Sequence, residues 1–228
     1  MGKILGIIGG LGPLATADFY KHIVGKTEAG CDQEHIETLI YSNCRIPKRV
    51  EYILGESDEN PSPVLCETAK VLEKAGAEVL AMPCITAHFF YDDIKKSVGI
   101  EVINAIEVTS RLLRDRDISC VGILATKGTL RGGFLQKALS EFDISCVAPD
   151  DEYQEILDEI IFKKIKKGIS VCPNDIKDIE ENLTAQGAQR IIIACTDVST
   201  IGLDKEFPNI YTDMMSLLED ECIRICKD

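Results

Sequence analysis

Short apolar runs rich in β-branched residues alternate along the chain with longer segments of helical periodicity. The runs predict strands at Ile4–Gly9, Glu37–Ser42, Glu78–Met82, Glu101–Ile103, Cys120–Ala125, Ile144–Ala148, Arg190–Ala194 and Asn209–Tyr211. The periodic segments predict helices at Leu14–Lys26, Pro63–Ala75, Ala87–Lys96, Ile106–Asp115, Gly133–Phe142, Glu152–Lys167, Asp175–Gln186 and Asp213–Cys226. Because continuous apolar strands need cover on both faces, this alternation favours parallel sheets flanked by helices, an α/β fold.

A strand–glycine–helix segment occurs twice, once in each half of the chain. Gly6 is followed six residues later by Gly12, and Gly122 is followed at the same spacing by Gly128. Turns of this kind are common in α/β proteins, so the match alone also fits unrelated segments. Together with the cysteine segments described next, it indicates an internal repeat.

The second pair of matching segments reads AGAEVLAMPCIT and QGAQRIIIACTD, and each contains a cysteine eight residues after a glycine. These cysteines are Cys84 and Cys195. Two motifs in the same order at similar separations predict two pseudo-symmetric parallel-sheet α/β domains. Their expected bounds are residues 1–104 with 213–228, the last helix returning to the first domain, and residues 105–212.

The repeat predicts an active site in the cleft between the two domains. In α/β sheets, sites form beyond the carboxyl ends of the strands, and Cys84 and Cys195 each follow a predicted strand directly. Two facing thiols suit stereoinversion, because one removes a Cα proton while the other delivers a proton from the opposite side. A helix N-terminus after each cysteine is expected to favour the thiolate, and Thr86 and Thr196 are expected to cap or line those turns.

Composition and charge narrow the class of protein. The chain has 228 residues and a formal net charge of −13, which disfavours binding to nucleic acid or to anionic membranes. No apolar run is long enough to span a membrane, and the short run after Lys3 is expected to be a buried strand rather than a signal peptide. Because the chain is long enough to bury a core and shows no secretion signal, we expect its ten cysteines to be reduced thiols in a cytoplasmic protein. They contain no C-x-x-C pair, so we expect no metal site.

Three segments together carry a resemblance to a known family. The opening GIIGGLGPLATADFY, the segment PCITAHFFYDDI and the later ACTDVS resemble the aspartate/glutamate racemase superfamily, most closely the aspartate racemases. The resemblance covers nearly the whole chain, including RIPKRVEYIL and IFKKIKKG. It implies a two-domain α/β fold, a reaction with no cofactor and no pyridoxal phosphate, a two-cysteine mechanism, a small acidic amino acid as substrate, and a homodimer.

The resemblance also implies roles for individual residues. Cys84 and Cys195 match the catalytic pair. Arg49 matches the arginine that binds the substrate's side-chain carboxylate, and Lys166 matches the lysine that assists it. A guanidinium group forks onto a carboxylate with two hydrogen bonds, and an ammonium group adds a point charge. Neighbouring lysines in FKKIKK leave the identity of the assisting lysine open.

The remaining binding positions surround the amino-acid head group. Thr86, Thr126 and Thr196 match positions that hold this group through hydroxyl or backbone contacts. Gly12 belongs to the glycine loop that is expected to form one edge of the pocket.

The chain departs from the family pattern at two positions. Ile85 stands where the family usually has Asn, and Asp197 stands where it often has Glu. Aspartate is the predicted substrate. These departures leave open a glutamate or broad-specificity racemase, a related isomerase or decarboxylase, and a ligand-binding protein without catalytic activity.

One alternative from a different class is a dinucleotide-binding oxidoreductase, because GLGPLA fits the G-x-G-x-x-A pattern. Pro13 lacks the N–H group needed at a pyrophosphate, and no acidic residue for a ribose ends the second strand, so this reading is disfavoured. His88, four residues after Cys84, is expected either to tune that thiolate or to serve as an ordinary helix histidine.

Overall fold

The computed structural model describes residues 2–227, and the chain divides into two compact units. Unit 1 takes in the chain up to Ala105 and again from Met215 onward, and unit 2 comprises Ile106–Met214. Within the described residues, no helix combines the length and the apolar character that crossing a membrane requires.

Unit 1 is built on a parallel sheet with the strand order β2-β1-β3-β4. Its strands are β1 (Leu5–Gly9), β2 (Thr38–Ser42), β3 (Val79–Ala81) and β4 (Glu101–Val102). Its α-helices are α1 (Pro13–Lys26), α2 (Arg49–Ile53), α3 (Ser62–Lys74), α4 (Tyr91–Ser97), the start of α5 (Ala105–Asp115) and α12 (Met214–Lys227), with 3₁₀ turns at Asp32–Glu34 and Thr86–Phe90. The central strand β1 is buried along its whole length.

Unit 2 repeats this topology with the strand order β6-β5-β7-β8, again all parallel. Its strands are β5 (Cys120–Leu124), β6 (Ser145–Val147), β7 (Arg190–Ile193) and β8 (Tyr211–Asp213). Its α-helices are α6 (Lys127–Arg131), α7 (Phe134–Ser140), α8 (Asp151–Glu159), α9 (Lys177–Ala185), α10 (Thr196–Ser199) and α11 (Leu203–Glu206), with a π turn at Ile160–Lys164 and 3₁₀ turns at Ile165–Lys167 and Pro173–Ile176.

The predicted fold class, two α/β units each with a parallel sheet, is confirmed. Every predicted strand is present, although the last lies two residues later than expected because Ile210 N–H still closes a turn onto Phe207 O at 3.0 Å. The helix expected at 87–96 opens as a 3₁₀ turn, and the helix expected at 152–167 changes to π and then 3₁₀ geometry after Glu159. The short helices α2, α6, α10 and α11 were not predicted.

The repeated glycines of the two central strands have a packing reason. A Cβ atom on Gly6 would lie 2.5 Å from Leu80 Cδ2 and 2.8 Å from Ala77 Cβ, which no real Cβ tolerates. A Cβ atom on Gly122 would lie 3.0 Å from Leu183 Cβ and 3.3 Å from Ala188 Cβ. In both units, therefore, glycine lets the helix before the third strand, α3 or α9, and the turn that leaves this helix approach the first strand closely.

A buried carboxylate joins the C-terminal helix α12 to α1 within unit 1. The side chain of Glu219 is 4% exposed, and its two oxygens lie 3.0 Å from His22 Nδ1 and 2.9 Å from Lys26 Nζ. Lys26 also contacts Ser216 Oγ at 2.8 Å and the exposed Asp220 at 2.9 Å. Because the Glu219 charge is shielded from water, it depends on these partners.

We expect Glu219→Ala to lower the free energy of unfolding by about 3 kcal/mol, because Lys26 then loses its buried counter-ion. Asp220→Ala is the matched control, since the same lysine loses a partner that is 58% exposed, and we expect a cost of at most about 1 kcal/mol. Urea denaturation followed by circular dichroism measures both. Equal costs for the two variants would contradict the role given to Glu219.

Candidate active site

Both cysteines of the repeat leave the sheet at equivalent positions. Cys84 follows β3 and Cys195 follows β7, each the third strand of its sheet in chain order and each flanked by strands on both sides. Each residue is 7% exposed. We call the surroundings of these residues within their own units the Cys84 half-site and the Cys195 half-site.

The glycine loop after β1 belongs to the Cys84 half-site and contacts Arg49. Gly10 has φ +84°, and a Cβ atom there would lie 2.4 Å from the backbone of Asn43, so only glycine fits. Arg49 donates to Leu11 O at 3.4 Å and to Pro47 O at 3.2 Å. Its Nε is buried without a hydrogen-bond partner among residues 2–227. The structure thus brings two predicted elements together, the arginine and the loop that contains Gly12.

A 3₁₀ turn rather than an α-helix follows Cys84. Thr86 is the first residue of this turn and the N-cap position falls on Ile85, so Thr86 is part of the turn but does not cap it. Ile85 is 1% exposed and presents no polar group at the position where the resemblance leads us to expect Asn.

His88 is buried in the Cys84 half-site, 5% exposed, and is neutral. Its Nδ1 lies 2.9 Å from Cys84 O, and its Nε2 accepts the N–H of Ala105 at 3.2 Å. Both contacts are satisfied by one neutral tautomer with the proton on Nδ1. Burial lowers the pKa of His88 to about 4. A neutral ring has no charge with which to stabilise the Cys84 thiolate, so the expected tuning by charge does not operate here.

Cys195 is held as a thiol. Burial is the main cause that raises the pKa of Cys195 to about 12, and the charge of Asp197 adds to it. The N–H groups of Val198 and Asp197, together with the charge of Lys166, act in the opposite direction. The Sγ of Cys195 donates to Asp197 Oδ2 at 3.9 Å. The helix N-terminus therefore favours the thiolate as expected, but burial and Asp197 outweigh it, so the expectation of a thiolate at Cys195 is wrong.

Lys166 reaches the Cys195 half-site through an ion pair. Its Nζ lies 2.6 Å from Asp197 Oδ2, whereas the neighbouring Lys164 pairs with Asp175 at 3.1 Å. Lys166 lies in the 3₁₀ turn that follows the π turn at Ile160–Lys164. Geometry therefore selects Lys166 among the lysines of this segment, although its predicted contact with substrate stays a prediction.

Thr126 and Thr196 lie at the carboxyl ends of β5 and β7. Thr126 is buried and caps α6, because its Oγ1 accepts the N–H of Thr129 at 3.4 Å. Thr196 is the first residue of α10, whose N-cap is Cys195, so Thr196 does not cap that helix as expected. Sequence reasoning missed Gln154, a buried side chain whose Nε2 donates to Ala125 O at 3.1 Å beside this turn.

The described part of the chain contains no group of three or more histidine, cysteine, aspartate or glutamate side chains arranged to hold a metal ion. The polar side chains of the two half-sites include thiol, carboxylate, ammonium, guanidinium, imidazole and hydroxyl groups.

Comparisons with known proteins point to one family. The family model described as Asp/Glu/Hydantoin racemase matches residues 8–210. A broad specificity amino-acid racemase, RacX, of Bacillus subtilis (strain 168) is 26% identical over 208 residues, which cover 87% of each chain. The structure is similar to Picrophilus torridus aspartate racemase, with a TM-score of 0.77 and 26% identity over 100% of both chains. It is also similar to an aspartate racemase homologue from Pyrococcus horikoshii OT3, with a TM-score of 0.81, 26% identity and the same coverage.

We expect Asp197→Asn to lower the pKa of Cys195, because the substitution removes the nearby negative charge and releases Lys166. The rate of alkylation of Cys195 by iodoacetamide at pH 8, followed by peptide mass spectrometry, should rise about tenfold, as a one-unit fall in pKa implies. Asp175→Asn is the matched control, because it breaks an equivalent ion pair with Lys164. An unchanged or slower rate in Asp197→Asn would contradict the charge assignment.

The lowered pKa of His88 makes the free energy of unfolding depend on pH. Its pKa is about 4 in the folded protein and 6.5 in the unfolded chain, so between these values only the unfolded chain binds the proton. As far as His88 is concerned, the free energy of unfolding is greatest above about pH 6.5 and decreases by about 3 kcal/mol in total as the pH falls to 4. Urea denaturation at pH 7 and pH 4 should show this extra loss in the wild type relative to His88→Gln, and parallel losses would refute it.

Proposed function

The chain belongs to the Asp/Glu/Hydantoin racemase family, and on that premise we propose that it is a cofactor-independent aspartate racemase with Cys84 and Cys195 as its two acid/base groups. The observation that carries the proposal is the matched placement of these thiols. Each follows the third strand of a sheet with the same strand order, and each is 7% exposed. A reaction that runs in both directions needs two groups of the same chemical type, which this duplication supplies.

The proposed reaction balances as two proton transfers. The thiolate of Cys84 takes the Cα proton of one enantiomer and becomes a thiol, while the Cys195 thiol delivers its proton to the opposite face of Cα and becomes a thiolate. The other enantiomer reacts with the roles exchanged. The raised pKa of Cys195 supports its starting role as the proton donor, because burial and Asp197 keep it protonated before substrate arrives.

Binding groups for an acidic amino acid are available in each half-site. In unit 1, Arg49 carries a buried Nε–H with no partner in the described residues and lies beside the glycine loop, which favours a bidentate contact with a side-chain carboxylate. In unit 2, Lys166 offers an ammonium group next to Cys195. Thr86, Thr126 and Thr196 are proposed to hold the α-amino and α-carboxylate groups. The homodimer and the cytoplasmic location remain predictions from the sequence.

A second candidate function is a racemase of broader specificity. The charge of Lys166 is already balanced by Asp197 at 2.6 Å, and Ile85 is an apolar side chain where the family has an amide. A pocket with less net positive charge discriminates less strongly in favour of a second carboxylate. The similarity to RacX, described as a broad specificity racemase, agrees with this candidate.

The test is proton NMR in D₂O with the L and D forms of aspartate, glutamate, alanine and lysine, and with maleate. We expect loss of the α-proton signal with stereoinversion for aspartate in the wild type. Cys84→Ala and Cys195→Ala should each lower the rate at least about 10³-fold, the scale of a lost general acid or base. Cys31→Ala removes an exposed thiol outside both half-sites and should leave the rate unchanged.

The same set of compounds also distinguishes the alternative functions. Equal rates with neutral, basic and acidic amino acids would favour the broader racemase over the aspartate enzyme. Turnover of maleate or release of CO₂ would indicate a related isomerase or decarboxylase, and binding of aspartate without exchange would indicate a non-catalytic protein. Full racemisation by either active-cysteine variant would refute the two-thiol mechanism.

A further inference from the structure

The carbonyl group of Cys84 is fixed by two donors. It accepts the N–H of Ala87 at 3.2 Å and the Nδ1–H of His88 at 2.9 Å. The opposite side of the same imidazole ring accepts the N–H of Ala105 at 3.2 Å. His88 is therefore a rigid bridge between the cysteine backbone and the first residue of α5.

Unit 2 contains a similar arrangement, in which a serine hydroxyl takes the place of the imidazole ring. Ser199 also lies four residues after its cysteine, and its N–H donates to Cys195 O at 3.0 Å. The Ser199 hydroxyl lies 3.2 Å from Cys195 O and 2.8 Å from Asp213 Oδ1. It therefore connects the cysteine backbone to the last residue of β8.

The far ends of the two bridges are equivalent in the chain. Ala105 is the last residue of unit 1 before the chain enters unit 2, and Asp213 stands one residue before Met214, the last residue of unit 2. Each end also lies at or just beyond the strand that pairs with the cysteine's own strand: Ala105 comes three residues after β4, which pairs with β3, and Asp213 is the last residue of β8, which pairs with β7. Because both correspondences occur in a repeated fold, we regard the two bridges as one structural feature that the units share.

We propose that His88 and Ser199 are positioning residues that tie the carbonyl groups of Cys84 and Cys195 to the segments by which the chain leaves each unit. This inference rests on the proposed function, since it concerns the placement of the two proposed acid/base thiols. Fixing the carbonyl fixes the peptide plane and so the direction in which the Cβ and Sγ atoms project. Proton transfer is sensitive to such placement, and an error of about 1 Å can cost about 10²-fold in rate.

The two bridges differ in strength. The neutral imidazole has a separate donor and acceptor, so it satisfies both of its partners at once. The Ser199 hydroxyl has one proton for two acceptors, and the carboxylate of Asp213 is the nearer and the stronger one. Loss of the His88 bridge should therefore matter more than loss of the Ser199 hydroxyl.

Two substitutions of His88 remove its two hydrogen bonds one at a time. In His88→Asn the amide NH₂ takes the place of Nδ1–H and keeps the bond to Cys84 O, but the acceptor for Ala105 is lost. In His88→Gln the longer side chain places its carbonyl oxygen near the Nε2 position and keeps that acceptor, but the donor is lost. Ser199→Ala removes only the hydroxyl in unit 2. Thr27→Val is the matched control, since it removes a buried hydroxyl that donates to Ile23 O at 2.6 Å at the far end of α1.

Racemisation kinetics with the best substrate of the D₂O panel test the catalytic side. We expect kcat to fall about 10- to 100-fold in both His88 variants and about 2- to 5-fold in Ser199→Ala, with KM within threefold of the wild type. The pH profile of kcat should keep its shape, because a positioning residue does not transfer the proton. Thr27→Val should lower Tm about as much as the His88 and Ser199 variants do, but it should leave kcat unchanged. Unchanged kcat in both His88 variants, or an effect confined to KM, would overturn the proposal.

Two further measurements do not depend on activity. Long-range ¹H–¹⁵N NMR of the wild type at pH 7 should place the His88 proton on Nδ1. Amide hydrogen exchange at Ala105 should accelerate in His88→Asn and stay protected in His88→Gln. If the wild type exchanges no α-proton of any amino acid, the proposed function fails. The His88 tautomer and the exchange rate of the Ala105 amide still show whether the His88 bridge exists. A proton on Nε2, or equal protection of Ala105 in both variants, would refute the bridge itself.

Discussion

Burying a sulfur at the end of a strand makes its ionisation costly, and this cost governs the chemistry available to the fold. At Cys195 burial is the main cause that raises the pKa to about 12, and the charge of Asp197 adds to it, although two backbone N–H groups and a lysine act in the opposite direction. A thiol in this state gives up a proton only when the surrounding charge changes. The cationic ammonium group of an amino acid is a ligand that brings such a change. Substrate binding and proton release are thus coupled in the proposed reaction.

The fold was largely predictable because buried parallel strands leave an unambiguous pattern. The run LGIIG is apolar on both faces, and its first glycine recurs in unit 2 for a steric reason that the structure makes explicit, the close approach of a leucine and an alanine. Short elements were missed because five residues or fewer contain too little periodicity to detect. The change from α to π geometry after Glu159 was also missed, since apolar residues continue through IIF and hide the altered hydrogen bonding.

Less of the candidate site could be predicted. The positions of Cys84 and Cys195 at strand ends follow from local pattern, and so does the nearness of a glycine loop to β1. The Lys166–Asp197 ion pair and the neutral state of His88 depend on contacts through space that spacing does not encode. The expectation of a thiolate at Cys195 was wrong because it counted the helix N-terminus and omitted burial, which is the larger effect.

The π turn at Ile160–Lys164 bears on how relatives of this chain are compared. Such a turn accommodates one more residue than an α turn, so it can absorb a single insertion while the flanking segments keep their places. In the run IFKKIKKG, such an insertion would change by one position the number of the lysine that pairs with Asp197, while its ammonium group stayed in place. An alignment made column by column would record a missing lysine in a chain that has kept one in space.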